Sequence, residues 1–362
     1  MDWITNNAYR MLCKQIWDKK ENVYNQQYQF QRFTEFMTCD GYTRNPRKVS
    51  RHLLTIQWSD HTIAQIYGWD HTSLLQTALD IDSKYADSFS GIELNIGCPS
   101  PKIMSCEAGS GMLRCRPKTL QIIQKISKSI HKPFSIKTRC GLTQEDIQEQ
   151  FDFIIESAYY CSMITIHGRT YKQSHHGEVN RSFIQSVKEE LNKRWLKDVK
   201  ICWNGGLKSA QDWLQWMDRS LYKDVTLDGI MLGQAAMCNP WSLTSYQPSI
   251  EELYQTSIDH LHLCMANEFY FDQESNFDRT TSTLIQPTQE KLNEISQLII
   301  QGDITTTSTW KRYSIPEYRK HLFWYVNGLP NNNEFKRSVA TINEYKPLIQ
   351  SIHNYFSPLI TQ

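Results

Sequence analysis

The sequence predicts an α/β protein: a TIM (β/α)8 barrel whose first strand is missing, followed by a C-terminal all-helical domain. Three observations carry this reading. Short β-branched runs alternate with longer amphipathic segments between about residues 60 and 240, the pattern of repeated βα units around a parallel sheet. The runs end in polar or glycine-bearing residues, which such a barrel gathers at one face. Past about residue 245 the strand signal stops while helical periodicity continues, so the expected boundary places the barrel in 1–245 and the helical domain in 246–362.

Taken in order, NAYRMLCKQIW reads as a helix and QFQRFTEFM (29–37) as the strand that follows it. HTIAQIYG (61–68) is a strand and SLLQTALDIDSKYA its helix; GIELNIG (91–97) is paired in the same way with KTLQIIQKISKSI. FSIKTRC (134–140) precedes EDIQEQFDFIIESAYY, MITIHGR (163–169) precedes RSFIQSVKEEL, and VKICWNGG (199–206) precedes AQDWLQWM, before LDGIMLGQ (227–234) closes the series. Beyond it, EKLNEISQLII and VATINEYKPLIQSIHNYF read as helices. The strands number seven, and because the chain opens on helix and then strand, the absent member would precede Met1. A barrel lacking one strand leaves backbone donors and acceptors unpaired on two neighbours, so the expectation is a functional gene product that begins upstream with a short apolar strand.

Composition narrows the function. The 362 residues carry 39 Lys and Arg against 38 Asp and Glu, a net charge of +1, so any site for a polyanion must be a local patch. Ten cysteines without a CxxC pair or a Cys/His cluster argue against a metal site and for reduced thiols in a cytoplasmic protein. MDWITNNAYR lacks the apolar core of a secretory signal, and no uncharged apolar run approaches the roughly 20 residues of a membrane span, so no membrane partner is expected. A monomer is the expected state.

The strand ends supply the chemistry. Barrels commonly bind phosphate on the loops after their last two strands, and here Asn204, Gly205 and Gly206 follow one and Gly233, Gln234 and Ala235 the next. Either loop alone reads as glycine ending a strand; two in succession favour a phosphorylated cofactor. Lys137 within FSIKTRC would be costly at a barrel mouth without an anionic or electron-rich partner, for which a reduced flavin is suited. His167 could donate to a phosphate, and Gln65 is similarly placed, although each taken singly is an ordinary strand-end residue. Cys98, between Gly97 and Pro99, reads as an exposed thiol; with an ordinary pKa of about 8.5 it would be mostly protonated at neutral pH and able to act as a general acid.

In order and spacing, ELNIGCPSPK, GSGMLR, SIKTRCG, ITIHGRTYKQSHHGEVN, CWNGG and DGIMLGQAAMCNPW resemble the tRNA-dihydrouridine synthases. MDWITNNAYRMLC and RKHLFWYVNGLPNNNEFKR extend the resemblance over almost the whole chain. It implies an FMN-bearing barrel with a helical tRNA-binding domain, reducing uridine in tRNA to 5,6-dihydrouridine at the expense of NADPH. By resemblance Cys98 is the proton donor, and Lys137, His167, Gln65 and Met1 contact the flavin. Asn204, Gly205, Gly206 and Gly233 match the phosphate cradle, Asn95 a residue facing the substrate base, and Arg169 a position near the tRNA. Two departures bear on cofactor affinity: Gln234 stands where the family usually has Arg, and Gly206 where it usually has an acidic residue.

In 310–337, Lys311, Arg312, Arg319, Lys320, Lys336 and Arg337 are interleaved with aromatic residues, which suits phosphate neutralisation and base stacking. A solvated helix with an aromatic core face has the same composition, and the resemblance tips the choice towards tRNA. Two other readings stand beside it: an FMN barrel oxidoreductase acting on a free small molecule, and a tRNA-binding relative without flavin.

Overall fold

The computed structural model of the chain describes residues 4–19, 29–56, 61–209, 211–212, 227–237, 239–244, 246–302, 304 and 314–361. Its centre is a parallel sheet of eight segments: β1 (Arg32–Phe33), β2 (Met37–Thr38), β3 (Thr62–Tyr67), β4 (Gly91–Asn95), β5 (Phe134–Arg139), β6 (Met163–His167), β7 (Lys200–Asn204) and β8 (Gly229–Met231). Each strand from β3 to β7 pairs with its successor, and the sheet curls into a half-barrel with helices around it. Among the described residues no ladder joins β8 to β1.

The strand expected at 29–37 is two short ones. β1 pairs with the start of β3 (Arg32 opposite Thr62) and β2 with its end (Met37 opposite Ile66). Between them the Thr34 hydroxyl accepts from the Gln65 N–H at 2.9 Å, taking the place of a backbone carbonyl and bulging the ladder. The other strands fall within the expected runs.

Strand alternation sorts the side chains into two layers. Ile92, Leu94, Ile136, Ile164, Ile166, Ile201 and Trp203 are buried in one core with Ile122, Ile123, Ile126, Ile154, Ile184 and Val187 of the surrounding helices. Burying each such Ile or Val contributes about 1.5–3 kcal/mol. The helices start where the sequence offers caps: Asp70 accepts from the Ser73 N–H ahead of His71–Lys84, and Asn180 from Phe183 ahead of Arg181–Lys193. The expected helix AQDWLQWM lies mostly outside the described residues.

The C-terminal region is built on the helix Ile250–Asp272, opened by a Ser249/Glu252 capping box. Gln289–Gln301, Ser314–Tyr325, Asn332–Val339 and Tyr345–Ile360 complete it. Two details differ from the sequence reading. A two-residue antiparallel pair, Phe277–Asp278 with Thr283–Leu284, interrupts the expected all-helical region. The run 339–356 is not one helix: the chain turns after Val339 and restarts at Tyr345, with Pro347 in the first turn, where its missing N–H costs nothing. The hydrophobic core is continuous from the barrel into these helices. Tyr9 of Asn7–Lys19 packs on the rings of His260 and His321, 5.5 and 5.0 Å away, while His260 Nδ1 meets the Tyr325 hydroxyl at 2.9 Å. No described helix is long and apolar enough to cross a membrane.

Candidate active site

The second layer of side chains, on the inner face of the sheet, is polar. Gln65, Asn95, Lys137, Thr165, His167, Cys202 and Asn204 line a cavity of about 1000 Å³ whose wall includes the loops beyond the strand ends. It extends down the sheet to Met163, Lys200 and Asp228 and is bordered by Tyr9, Cys13 and Trp17 of the first helix. All eleven described barrel residues singled out from the sequence, among them Cys98, Arg169, Gly205, Gly206, Gly233 and Gln234, lie on this one cavity. Met1 falls outside the described residues. Arg319, Lys320 and Lys336 are elsewhere, on the C-terminal helices. Arg319 is partly buried and donates to the Ile342 carbonyl at 2.8 Å, so that cation is engaged within the fold; Lys320 is exposed.

The loop carrying Cys98 is fixed through its backbone. Asn95 Oδ1 accepts from the N–H groups of Gly97 (3.1 Å) and Cys98 (3.0 Å), and the Cys98 carbonyl accepts from the Ser110 N–H at 3.1 Å. Arg139, only 1% exposed, donates to the carbonyls of Gly97, Thr170 and Ser174 at 2.8–2.9 Å and so ties the thiol loop to the loop after β6. A Cβ on Gly97 would come within 3.1 Å of the Thr138 backbone, so only glycine lets the loop pass this close to β5.

Opposite lies the glycine-bearing pair of strand ends. Asn204 Nδ2 donates to the Met231 carbonyl at 2.7 Å and ties β7 to β8. Gly205 has a φ of +96°, and a Cβ there would lie 2.1 Å from His167 Cδ2. Gly206 follows with a φ of +75°, a region glycine favours, which accounts physically for glycine at a position where an acidic side chain would be strained.

Cations dominate the electrostatics. Burial and the charges of Lys137, Arg139, Arg169 and His175 push His167 down to about 2, so its imidazole is neutral at neutral pH. Burial lowers Lys137 while the Glu93 carboxylate opposes this. The ammonium lies in the cavity wall without a hydrogen bond or ion pair to any described residue. A half-buried cation without a hydrogen bond to a described residue, on the same cavity as two glycine-bearing loops, fits an anionic, phosphorylated, planar group, whose phosphate Asn204, Gly205, Gly206 and Gly233 could hold. Among the described residues no cluster of His, Cys, Asp and Glu could hold a metal ion.

Glu93, Arg139 and His175 were not singled out from the sequence. The first two were legible in principle: residues two apart along a strand share a face, so Asn95 implies Glu93 and Lys137 implies Arg139. His175 lies on an irregular loop with no periodicity to place it.

The family model described as dihydrouridine synthase matches residues 1–356. A tRNA-dihydrouridine synthase B of Pasteurella multocida is 25% identical over 334 residues, covering 91% of this chain and 86% of its own. A tRNA-dihydrouridine synthase B of Pseudomonas aeruginosa is 21% identical over 360 residues, 99% of this chain and 91% of its own. A probable tRNA-dihydrouridine synthase of Aquifex aeolicus is 24% identical over 246 residues, 67% of this chain and 69% of its own.

Proposed function

Because the chain belongs to the dihydrouridine synthase family, we propose that it reduces uridines in tRNA to 5,6-dihydrouridine, with FMN as cofactor, NADPH as reductant and Cys98 as proton donor. The observation that carries this reading is the convergence on one cavity of the Gly205 cradle, the unpartnered Lys137 and the Cys98 thiol.

When bound and reduced by NADPH, FMN would supply hydride to carbon 6 of the uracil ring. Enolate-like charge then builds on the base, and the proton that quenches it at carbon 5 comes from Cys98 Sγ. Asn95 keeps that thiol aimed by capping the loop backbone, and Arg139 keeps the loop from swinging away. Lys137 and Gln65 would hold the flavin ring, and neutral His167 with the backbone at 204–206 and 233 would hold the phosphate. Arg169 lines the same mouth and suits the RNA backbone. The base reaches the site only by leaving its RNA stack, at a cost of about a few kcal/mol that interactions elsewhere on the tRNA offset.

The protein is expected to purify yellow. Gly205→Ala, which forces a Cβ into His167 and an unfavourable φ, should weaken FMN binding about tenfold or more while leaving the circular dichroism spectrum unchanged. A colourless wild-type protein that takes up no added FMN would rule the cofactor out.

The helical region 246–362 is proposed to hold the tRNA. Lys320, Lys336 and Arg337 are described cations that could do so, and replacing Lys320 and Lys336 by Gln should weaken tRNA binding. The slope of log affinity against log salt should flatten by about one for each phosphate that is no longer neutralised. An unchanged slope would place the tRNA on another surface, and loss of flavin reduction by NADPH without tRNA would mean that the variant damages the barrel instead.

A further inference from the structure

Glu93 is a carboxylate with no solvent exposure at the centre of the sheet, on the same face of β4 as Asn95. Its Oε1 accepts from Gln65 Nε2 at 2.5 Å, and its Oε2 makes no well-formed hydrogen bond to a described residue, although the Thr165 hydroxyl is near enough to lower the carboxyl. Burial raises the Glu93 carboxyl to about 7 against the opposing pull of Gln65 and Lys137, so above that pH it is an ionised group that only accepts and dictates which end of the Gln65 amide faces it. The Gln65 carbonyl oxygen is thereby turned to accept from Asn95 Nδ2 at 3.1 Å, which leaves Asn95 Oδ1 to hold the Gly97 and Cys98 N–H groups. The carboxylate is therefore the fixed end of a relay with no freedom to reverse an amide along its length. Its charge acts on a second group. Lys137 stands across the β4–β5 ladder, paired with Asn95, and is faced by Glu93 from β4, Cys98 from the loop after it, Arg139 from its own strand and His167 from β6. Glu93 is the buried carboxylate in that set, where the arginine opposes the ammonium.

We propose that Glu93 is a positioning residue for the reaction: its carboxylate orients Gln65 and through it Asn95 and the Cys98 loop, and its charge keeps Lys137 an ammonium facing the flavin. The second half rests on the FMN reading; the first does not.

Two measurements on the full chain test it: FMN affinity as a function of pH, and amide hydrogen exchange over residues 95–99 without added cofactor. In Glu93→Gln the alkaline limb of FMN affinity should move about one unit to lower pH, a roughly tenfold loss of affinity on that limb. Exchange over 95–99 should rise about tenfold, because an amide at position 93 no longer dictates the Gln65 orientation. Gln65→Met breaks the relay and keeps the charge, so exchange should rise and the limb should keep its pH, even where loss of the proposed Gln65 contact lowers FMN affinity equally at every pH. An unmoved limb or unchanged exchange in Glu93→Gln overturns the inference. Should that variant not fold, unchanged exchange in Gln65→Met overturns it. Wild-type protein that binds no FMN at any pH refutes the cofactor reading and the Lys137 half with it, while the exchange measurements decide the relay separately.

Discussion

Replacing Cys98 by Ala is expected to lower dihydrouridine formation about 10²–10⁴-fold, the range for removing a positioned general acid. The backbone at this position is held by hydrogen bonds that do not involve the thiol: Asn95 Oδ1 takes the Cys98 N–H, Ser110 donates to its carbonyl, and Arg139 fixes the preceding carbonyl. Alanine makes the same three interactions, so the loop stays in place and the loss reads the missing proton rather than a collapsed site. FMN binding and reduction by NADPH should be unchanged, because the groups proposed to hold the flavin lie on β3, β5 and β6 and on the two glycine-bearing loops. Single-turnover assays with pre-reduced enzyme and tRNA separate proton donation from reduction. Near-normal dihydrouridine yield at a normal rate would remove Cys98 from the mechanism.

The parts of this site that sequence reading reached are those where a local rule and a chemical oddity coincide. Lys137 stands out because a cation inside a β-branched run has no business in a core, and Gly205 because two glycines end a strand that the barrel order makes next to last. Glu93 breaks its run in the same way, but it lies before the strand end where function is looked for, and its value comes from Gln65 on the neighbouring strand and Asn95 on its own, which only the sheet register brings together. The divided strand at 32–38 was not legible because its cause is a tertiary contact, the Thr34 hydroxyl intercepting the Gln65 N–H of the neighbouring strand. Arg319 shows what composition leaves out. Composition counts it as a cation available to RNA, whereas the turn after Val339 brings the Ile342 carbonyl to its guanidinium.

Arg51→Met is expected to destabilise the protein by about 3–5 kcal/mol at neutral to mildly alkaline pH. The guanidinium, in the short turn Ser50–Leu53, contacts Glu268 at 2.6 Å and Glu317 at 3.1 Å, and these carboxylates belong to two different helices of the C-terminal region. It is thus an electrostatic link between barrel and helices, and its removal leaves two buried carboxylates facing each other. Burial raises Glu268 from its ordinary 4.5 to about 7 even with Arg51 present, and Glu317 is raised as well. A carboxylate whose folded pKa lies above its unfolded one binds more protons when folded, so its contribution to stability grows as pH falls through the folded value. Without Arg51 both carboxylates rise further. The penalty of the substitution should therefore shrink on acidification, by about 1.4 kcal/mol for each pKa unit that the loss of the cation adds to the pair. Urea denaturation of wild type and variant at about pH 9, above the raised carboxyls, and at about pH 5.5 measures both quantities. A penalty under about 1 kcal/mol, or one that does not change between the two pH values, would mean that apolar packing, led by Tyr9 against His260 and His321, holds the helices to the barrel without this ion pair.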